Sequence, residues 1–221
     1  LHHDSLDSKQ LIRPGQLNVM TAGHGISHSE ETQEEFVGTL HGVQLWVALP
    51  EDRRHGEAAF EHHGEVPKVR RGDLDLSIVV GSAFGHTSPA TSYSKLVAME
   101  IFVNQGGVHR LELETDQEYG VIVLEGEMHT DQGPISPGTL YYMSTGHDCF
   151  EFETRDTARL FLVGGEVFEE EILMYWNFVA RTREEIVEAT EQWNAAHSRF
   201  GEVRGYTRGR LAAPPVGPIR T

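Results

Sequence analysis

The stretch IRPGQLNVMTAGHGISHSE at residues 12–30 returns later in the chain as ISPGTLYYMSTGHDCFEFE at residues 135–153. Each copy holds a Pro-Gly turn between two short apolar segments, which is typical of β structure. Laid over each other without a gap, the copies share the pairs Ile12/Ile135, Pro14/Pro137, Gly15/Gly138, Leu17/Leu140, Met20/Met143, Gly23/Gly146, His24/His147 and Glu30/Glu153. Repetition of a β-type unit within one chain indicates an internally duplicated fold.

Composition limits the function classes. A formal net charge of -16 argues against sequence-independent binding to nucleic acid and against an anionic membrane surface. One cysteine, Cys149, excludes an internal disulfide and fits a reducing compartment, so we expect a cytoplasmic protein. The sequence has no apolar run of about 18 residues, and we therefore expect no transmembrane helix.

The rest of the chain predicts an all-β sandwich or barrel, because short apolar segments alternate with Gly and Pro turns. Strands are predicted at 9–13, 16–20, 43–49, 73–80, 95–103, 108–114, 119–124, 139–143, 149–153 and 158–163. Residues 51–67 are polar and are predicted to link the two halves. Residues 204–221 hold few large apolar groups, and we expect an extended or disordered tail there.

One helix is predicted over about 183–199. Thr182 and Glu185 form a T-x-x-E capping box, and Gly201 provides a stop. An apolar stripe recurs at helical spacing, at Ile186, Ala189, Trp193 and Phe200.

The candidate chemistry lies in the first copy. His28 and Glu30 stand two residues apart, so both side chains would share one face of a strand. Imidazole and carboxylate together suit Fe(II), Zn, Mn, Ni or Cu. Two ligands are too few for a stable site, and an exposed polar strand end is the alternative interpretation.

His24 occurs in both copies, which favours a structural role in the turn, with support of a metal ligand as a second possibility.

Two further groups of polar residues favour a solvated surface. The second copy carries carboxylates without histidine at the ligand positions, and they would need a hard cation if they all pointed inward. They are Glu112, Glu114, Glu118, Glu151 and Glu153. The histidine pairs, His2 with His3 and His62 with His63, also favour solvated polar surface, because only coherent ligand spacing indicates a metal site.

Four segments together resemble the pirin family of bicupins. They are RPGQLNVMTAGHGISHSEE (13–31), GVQLWVALP (42–50), LVGGE (162–166) and MYWNFVARTREEI (174–186). The resemblance implies two cupin-type β-barrels of the double-stranded β-helix or jelly-roll kind, from an internal duplication, plus one C-terminal α-helix. It divides the chain into an N-terminal barrel at 1–57, a C-terminal barrel at 58–180 and a helix with an extended tail at 181–221.

The resemblance also implies one divalent transition metal in the N-terminal barrel, with Fe(II) foremost and Zn, Mn, Ni or Cu as alternatives. Its ligands would be His28, Glu30 and an H-x-H on an upstream strand that has no counterpart in this sequence. We therefore expect the start of the first repeat, with further histidine ligands, upstream of Leu1. The C-terminal barrel is expected to lack a metal, in agreement with Glu151 and Glu153 at the ligand positions.

Three functions stay open on these grounds. The first is a dioxygenase of the quercetin 2,3-dioxygenase type, which opens a flavonol-like aromatic substrate with O2 and uses Glu30 as ligand and base. The second is a non-catalytic, metal-dependent module that binds a regulatory or metabolic protein. The third is a duplicated barrel without metal. Turnover of quercetin would indicate the first, and a stoichiometric metal without turnover the second.

Overall fold

The computed structural model describes residues 1–32 and 36–217. The first strands are β1 (His2–Asp4), β2 (Lys9–Gln10), β3 (Leu17–Thr21), β4 (His28–Glu30) and β5 (Ala59–His63). They are followed by β6 (Lys68–Arg71), β7 (Leu74–Val80), β8 (Ser82–Ala83), β9 (His86–Thr87), β10 (Leu96–Val103), β11 (Gly107–Glu112) and β12 (Gln117–Glu125). The last are β13 (Met128–Thr130), β14 (Gly133–Ile135), β15 (Leu140–Met143), β16 (Cys149–Thr154), β17 (Ala158–Glu166), β18 (Leu173–Tyr175) and β19 (Phe178–Ala180). Helix α1 spans Arg183–Asn194, and a 3-10 turn spans Ser198–Phe200. The predicted all-β class with one α-helix is confirmed.

Contacts within the chain form two compact units. Of the described residues, the first unit contains 1–14, 18–32, 36–62 and 169–217, and the second contains 15–17 and 63–168. The domain boundaries predicted after residues 57 and 180 stay predictions.

The second unit is built from two antiparallel sheets over one core. The larger sheet has the order β15-β12-β17-β10-β7-β6, and the smaller has the order β11-β16-β13-β14. Alternation along the strands places one side in the core, as in β7, where Leu74, Leu76 and Ile78 are buried. Side chains from both sheets meet in a single apolar cluster that includes Leu76, Ile101, Leu111, Phe150, Phe152 and Leu160.

The first unit contains the sheet β2-β1-β4, the hairpin β18-β19 and helix α1. The predicted capping box is present, since the Glu185 backbone N–H donates to Thr182 Oγ1 at 3.2 Å and Glu185 Oε2 accepts from the Thr182 N–H at 3.3 Å. The helix ends earlier than predicted, because Ala196 adopts a left-handed φ of 54°. The aromatic stripe continues across this break, and Trp193 still packs edge-on against Phe200 at 5.3 Å.

Three predictions outside the repeats had mixed outcomes. The strand predicted at 43–49 is wrong: this described segment has no regular structure, and Val43, Leu45, Trp46 and Val47 are exposed. The stretch 51–67 is more than a linker, because it contains β5. The predicted extended or disordered tail has no helix or strand over 204–217, yet Ala213 is buried, and residues 218–221 lie outside the described residues.

Within the described parts of the chain, no helix has the length and apolar character needed to cross a membrane.

Candidate functional site

Strands β1 and β4 gather polar side chains on one face of a short antiparallel ladder. His2 lies directly opposite Glu30, and Asp4 lies directly opposite His28. Opposite residues of an antiparallel pair share a face, and so do residues two apart on one strand. The ladder therefore brings two imidazoles and two carboxylates to one side of the first unit.

The predicted ligand pair, His28 and Glu30, lies on this face with both side chains exposed. Partial burial lowers the pKa of His28, which favours the neutral imidazole with a nitrogen lone pair available for a metal. The neighbouring His2 imidazole lowers the pKa of Glu30, which keeps that carboxylate ionised. Both groups are thus in the protonation state that metal coordination requires.

His2 is a member of this cluster that the sequence reading missed. It is only 4% exposed and its neighbour His3 only 8%, so the interpretation of this histidine pair as solvated surface is wrong. His2 Nε2 lies 3.1 Å from Asp4 Oδ2, and His2 Nδ1 lies 4.0 Å from Glu30 Oε1. Burial acts to lower the pKa of His2, but the two carboxylates outweigh it and raise the pKa.

Asp4 fixes the other end of the cluster. Its side chain is fully buried, and Oδ1 accepts hydrogen bonds from the backbone N–H groups of Leu6 at 2.9 Å and Ser8 at 3.0 Å. Burial acts to raise the pKa of Asp4, but the hydrogen bonds from His2 and the backbone outweigh it and lower the pKa. Asp4 is therefore an ionised anchor for His2 rather than an available ligand.

The donors present fit a transition metal in their chemical type. A neutral imidazole and an ionised carboxylate on one strand face are the donor types of mononuclear sites for Fe, Zn, Mn, Ni or Cu. Among residues 1–32 and 36–217, however, no group of three or more His, Cys, Asp or Glu is spaced to hold a metal ion. On this face the described residues supply two candidate ligands, His28 and Glu30.

The turn before β4 depends on close backbone approach. The His24 N–H donates to the Gly56 carbonyl oxygen at 2.8 Å, while the His24 side chain is exposed. A Cβ on Gly23 would collide with the Gly56 carbonyl oxygen and lie 2.8 Å from the Glu57 carbonyl oxygen. A Cβ on Gly25 would lie 3.0 Å from the Arg199 carbonyl oxygen. The backbone of this turn is thus structural, and support of a metal ligand by the His24 side chain stays a prediction.

The matching strand of the second repeat, β16, serves the core instead. Phe150 and Phe152 are 1% and 2% exposed and stack with ring centroids 4.7 Å apart. Glu151 and Glu153 alternate with them and are exposed. Of the other second-repeat carboxylates, Glu112 and Glu114 are exposed and Glu118 is half-buried, as the solvated-face interpretation expects.

The internal duplication could have identified His2 as a member of this cluster. The second repeat places His129 of β13 directly opposite Glu153 of β16, as the first places His2 opposite Glu30. Each histidine also begins an H-x-D sequence, at residues 2–4 and 129–131. Extending the repeat back to these residues would have marked His2 as a neighbour of Glu30.

Comparison with known proteins finds matches in two family models, in sequences and in solved structures. The family model described as Pirin matches residues 1–47, and the one described as the Pirin C-terminal cupin domain matches residues 98–201. A Pseudomonas aeruginosa protein that carries the provisional name quercetin 2,3-dioxygenase is 36% identical over 216 residues, which are 98% of this chain and 68% of that protein. A pirin-like protein of Caulobacter vibrioides is 30% identical over 91% of this chain and 71% of that protein. The crystal structure of a quercetin 2,3-dioxygenase from Acinetobacter baumannii superposes with a TM-score of 0.95 and 40% identity, covering 100% of this chain and 73% of that one.

Proposed function

This chain belongs to the pirin family of cupin proteins, and from that membership we propose that it binds one divalent transition metal and acts as a quercetin 2,3-dioxygenase. Fe(II) is the metal we expect first, and the substrate would be a flavonol-like aromatic. The observation that carries the proposal is the placement of His28 and Glu30, with His2 beside them, on one face of the β1-β4 ladder.

The residues of the site have separable tasks in such a reaction. The metal, when bound, supplies Lewis acidity that lowers the pKa of a coordinated phenol. His28 would hold the metal through its neutral imidazole. Glu30 would hold it through its carboxylate, which its lowered pKa keeps ionised, and this carboxylate would accept the phenolic proton because its side chain is 61% exposed and within reach of a substrate.

The test begins with metal content. The purified protein, without a histidine tag or added metal, is analysed by mass spectrometry beside His28→Ala and His147→Ala. His147 is the matched control, because it lies in the second repeat at the position of His24. In the intact protein we expect about one metal per chain in the wild type, most of it lost in His28→Ala and none of it lost in His147→Ala. Equal loss in both variants would contradict a single site in the first repeat.

Quercetin turnover under air is the second measurement. Metal-dependent loss of quercetin in the wild type, abolished in His28→Ala and in Glu30→Gln, would support the dioxygenase. One bound metal without turnover would overturn catalysis and favour a metal-dependent binding module for a regulatory or metabolic protein. With a net charge of -16, such a partner would present a basic surface.

A further inference from the structure

His2 stacks against two rings, and each of its nitrogens faces a carboxylate. Its ring centroid lies 4.4 Å from that of Phe60 with 10° between the planes, and 5.6 Å from that of His28 with 19° between the planes. Nε2 faces Asp4 at 3.1 Å, and Nδ1 faces Glu30 at 4.0 Å. The stack sets the plane of the imidazole, and Asp4 sets its rotation within that plane.

Asp4 orients the His2 imidazole so that its other nitrogen points toward Glu30. One Asp4 oxygen is held by the backbone N–H groups of Leu6 and Ser8, which leaves the other for His2 Nε2. This contact turns Nδ1 toward the Glu30 carboxylate, and a movement of about 1 Å would bring the two within hydrogen-bond distance. Glu30 is largely exposed and, without a neighbour, would sample several rotamers.

We propose that His2, oriented by Asp4, is a positioning residue that holds the Glu30 carboxylate beside His28, where the metal is bound. The inference rests on the proposed function, because Glu30 needs positioning only if it is a ligand. Partners of this kind, which touch a ligand rather than the metal, change metal affinity by about 10- to 100-fold.

Titration of the metal-free protein with Co(II), followed by its visible absorption, tests this without any turnover. His2→Phe keeps a flat ring for the stacking with Phe60 and His28 but removes both nitrogens. We expect about 10- to 100-fold weaker Co(II) binding and a changed absorption spectrum. Far-UV circular dichroism should show the wild-type fold, because the stack is kept.

Two amide variants distinguish the role of His2 Nδ1 from the role of His2 Nε2. His2→Asn places an amide nitrogen near the position of Nδ1 and should recover most of the affinity through Glu30. His2→Gln places it near Nε2, where it reaches Asp4 but not Glu30, and should bind as weakly as His2→Phe. This comparison decides the question even if His2→Phe does not fold.

Controls distinguish failure of the inference from failure of the site. His129→Phe, at the equivalent position of the second repeat, should bind Co(II) like the wild type. If His28→Ala loses Co(II) while all His2 variants bind it normally, the positioning role is overturned and the metal site stands. If the intact wild type does not bind Co(II), or His28→Ala binds it equally well, the metal site is overturned and this inference with it.

Discussion

Replacing Gly23 by alanine should destabilise the first unit more than the same change at its repeat equivalent, Gly146, destabilises the second. Gly23 has a φ of 50°, and its new Cβ would collide with the Gly56 carbonyl oxygen. Gly146 has a φ of 98° with no atom within 4 Å of such a Cβ, so it bears a conformational penalty without a collision. That penalty is about 1–2 kcal/mol for an L-residue in the left-handed region.

The collision at Gly23 adds a second cost. The backbone would have to separate by roughly 1 Å to restore ordinary contact distances, which breaks the hydrogen bond from the His24 N–H to Gly56. A hydrogen bond of this kind contributes about 0.5–1.5 kcal/mol, so Gly23→Ala should cost about 2–3 kcal/mol in total. The ratio of folded to unfolded protein would fall by about 30- to 150-fold.

Urea unfolding can follow the two units through different signals. Trp46, Trp176 and Trp193 are the only tryptophans of the chain, and all lie in the first unit. Tryptophan fluorescence should therefore show a lower unfolding midpoint for Gly23→Ala and an unchanged one for Gly146→Ala, whose effect should be visible in far-UV circular dichroism. A cost at Gly146 equal to or greater than that at Gly23 would refute the collision as the cause.

Two further predictions concern the C-terminal part of the first unit. Burial acts to raise the pKa of Glu185, but hydrogen bonds from the backbone and Arg54 outweigh it and lower the pKa. The ionised carboxylate therefore stabilises the folded state above the unfolded-state pKa of about 4.3, and this stabilisation is lost as the pH falls through the folded-state pKa. Glu185→Gln should thus lower the free energy of unfolding by about 1 kcal/mol at pH 7 and by less at pH 3. Glu184→Gln should lower it by much less at either pH. Asn194 exchanges two hydrogen bonds with the backbone of the tail, so Asn194→Ala should speed tryptic cleavage there by about 5- to 30-fold, unlike Gln192→Ala.

The sequence predicted best where a single strand carries its own signal. In the second unit, alternation of apolar and polar residues located β7 within one residue of its observed start, and short apolar segments between turns located β10 and β15 as closely. β7 buries one face in the core, so its pattern and its structure have the same cause. The capping box located the start of α1 for a similar reason, because both of its hydrogen bonds lie within four residues.

The predictions were wrong where the structure depends on contacts with residues that are distant in the sequence. Residues 43–49 have the composition of a strand, but a strand also needs a neighbour to pair its backbone, and composition cannot supply one. His2 looked like surface because its burial comes from Phe60, which is far away in sequence. His28 and Glu30 could be predicted because a two-residue spacing is enough to place them on one face.

The two repeats hold their equivalent strands, β4 and β16, in different ways. Phe150 and Phe152 hold β16 in its core, where each would cost about 3–5 kcal/mol if cut back to alanine. Ser27 and Ser29 are also buried but bury little apolar area, so β4 must be held by other means. It is held by its backbone ladder to β1 and by the hydrogen bonds between Ser27 and Ser5, at 2.9 and 3.2 Å. A strand fixed mainly through its backbone can change its exposed side chains without loss of its hold on the fold.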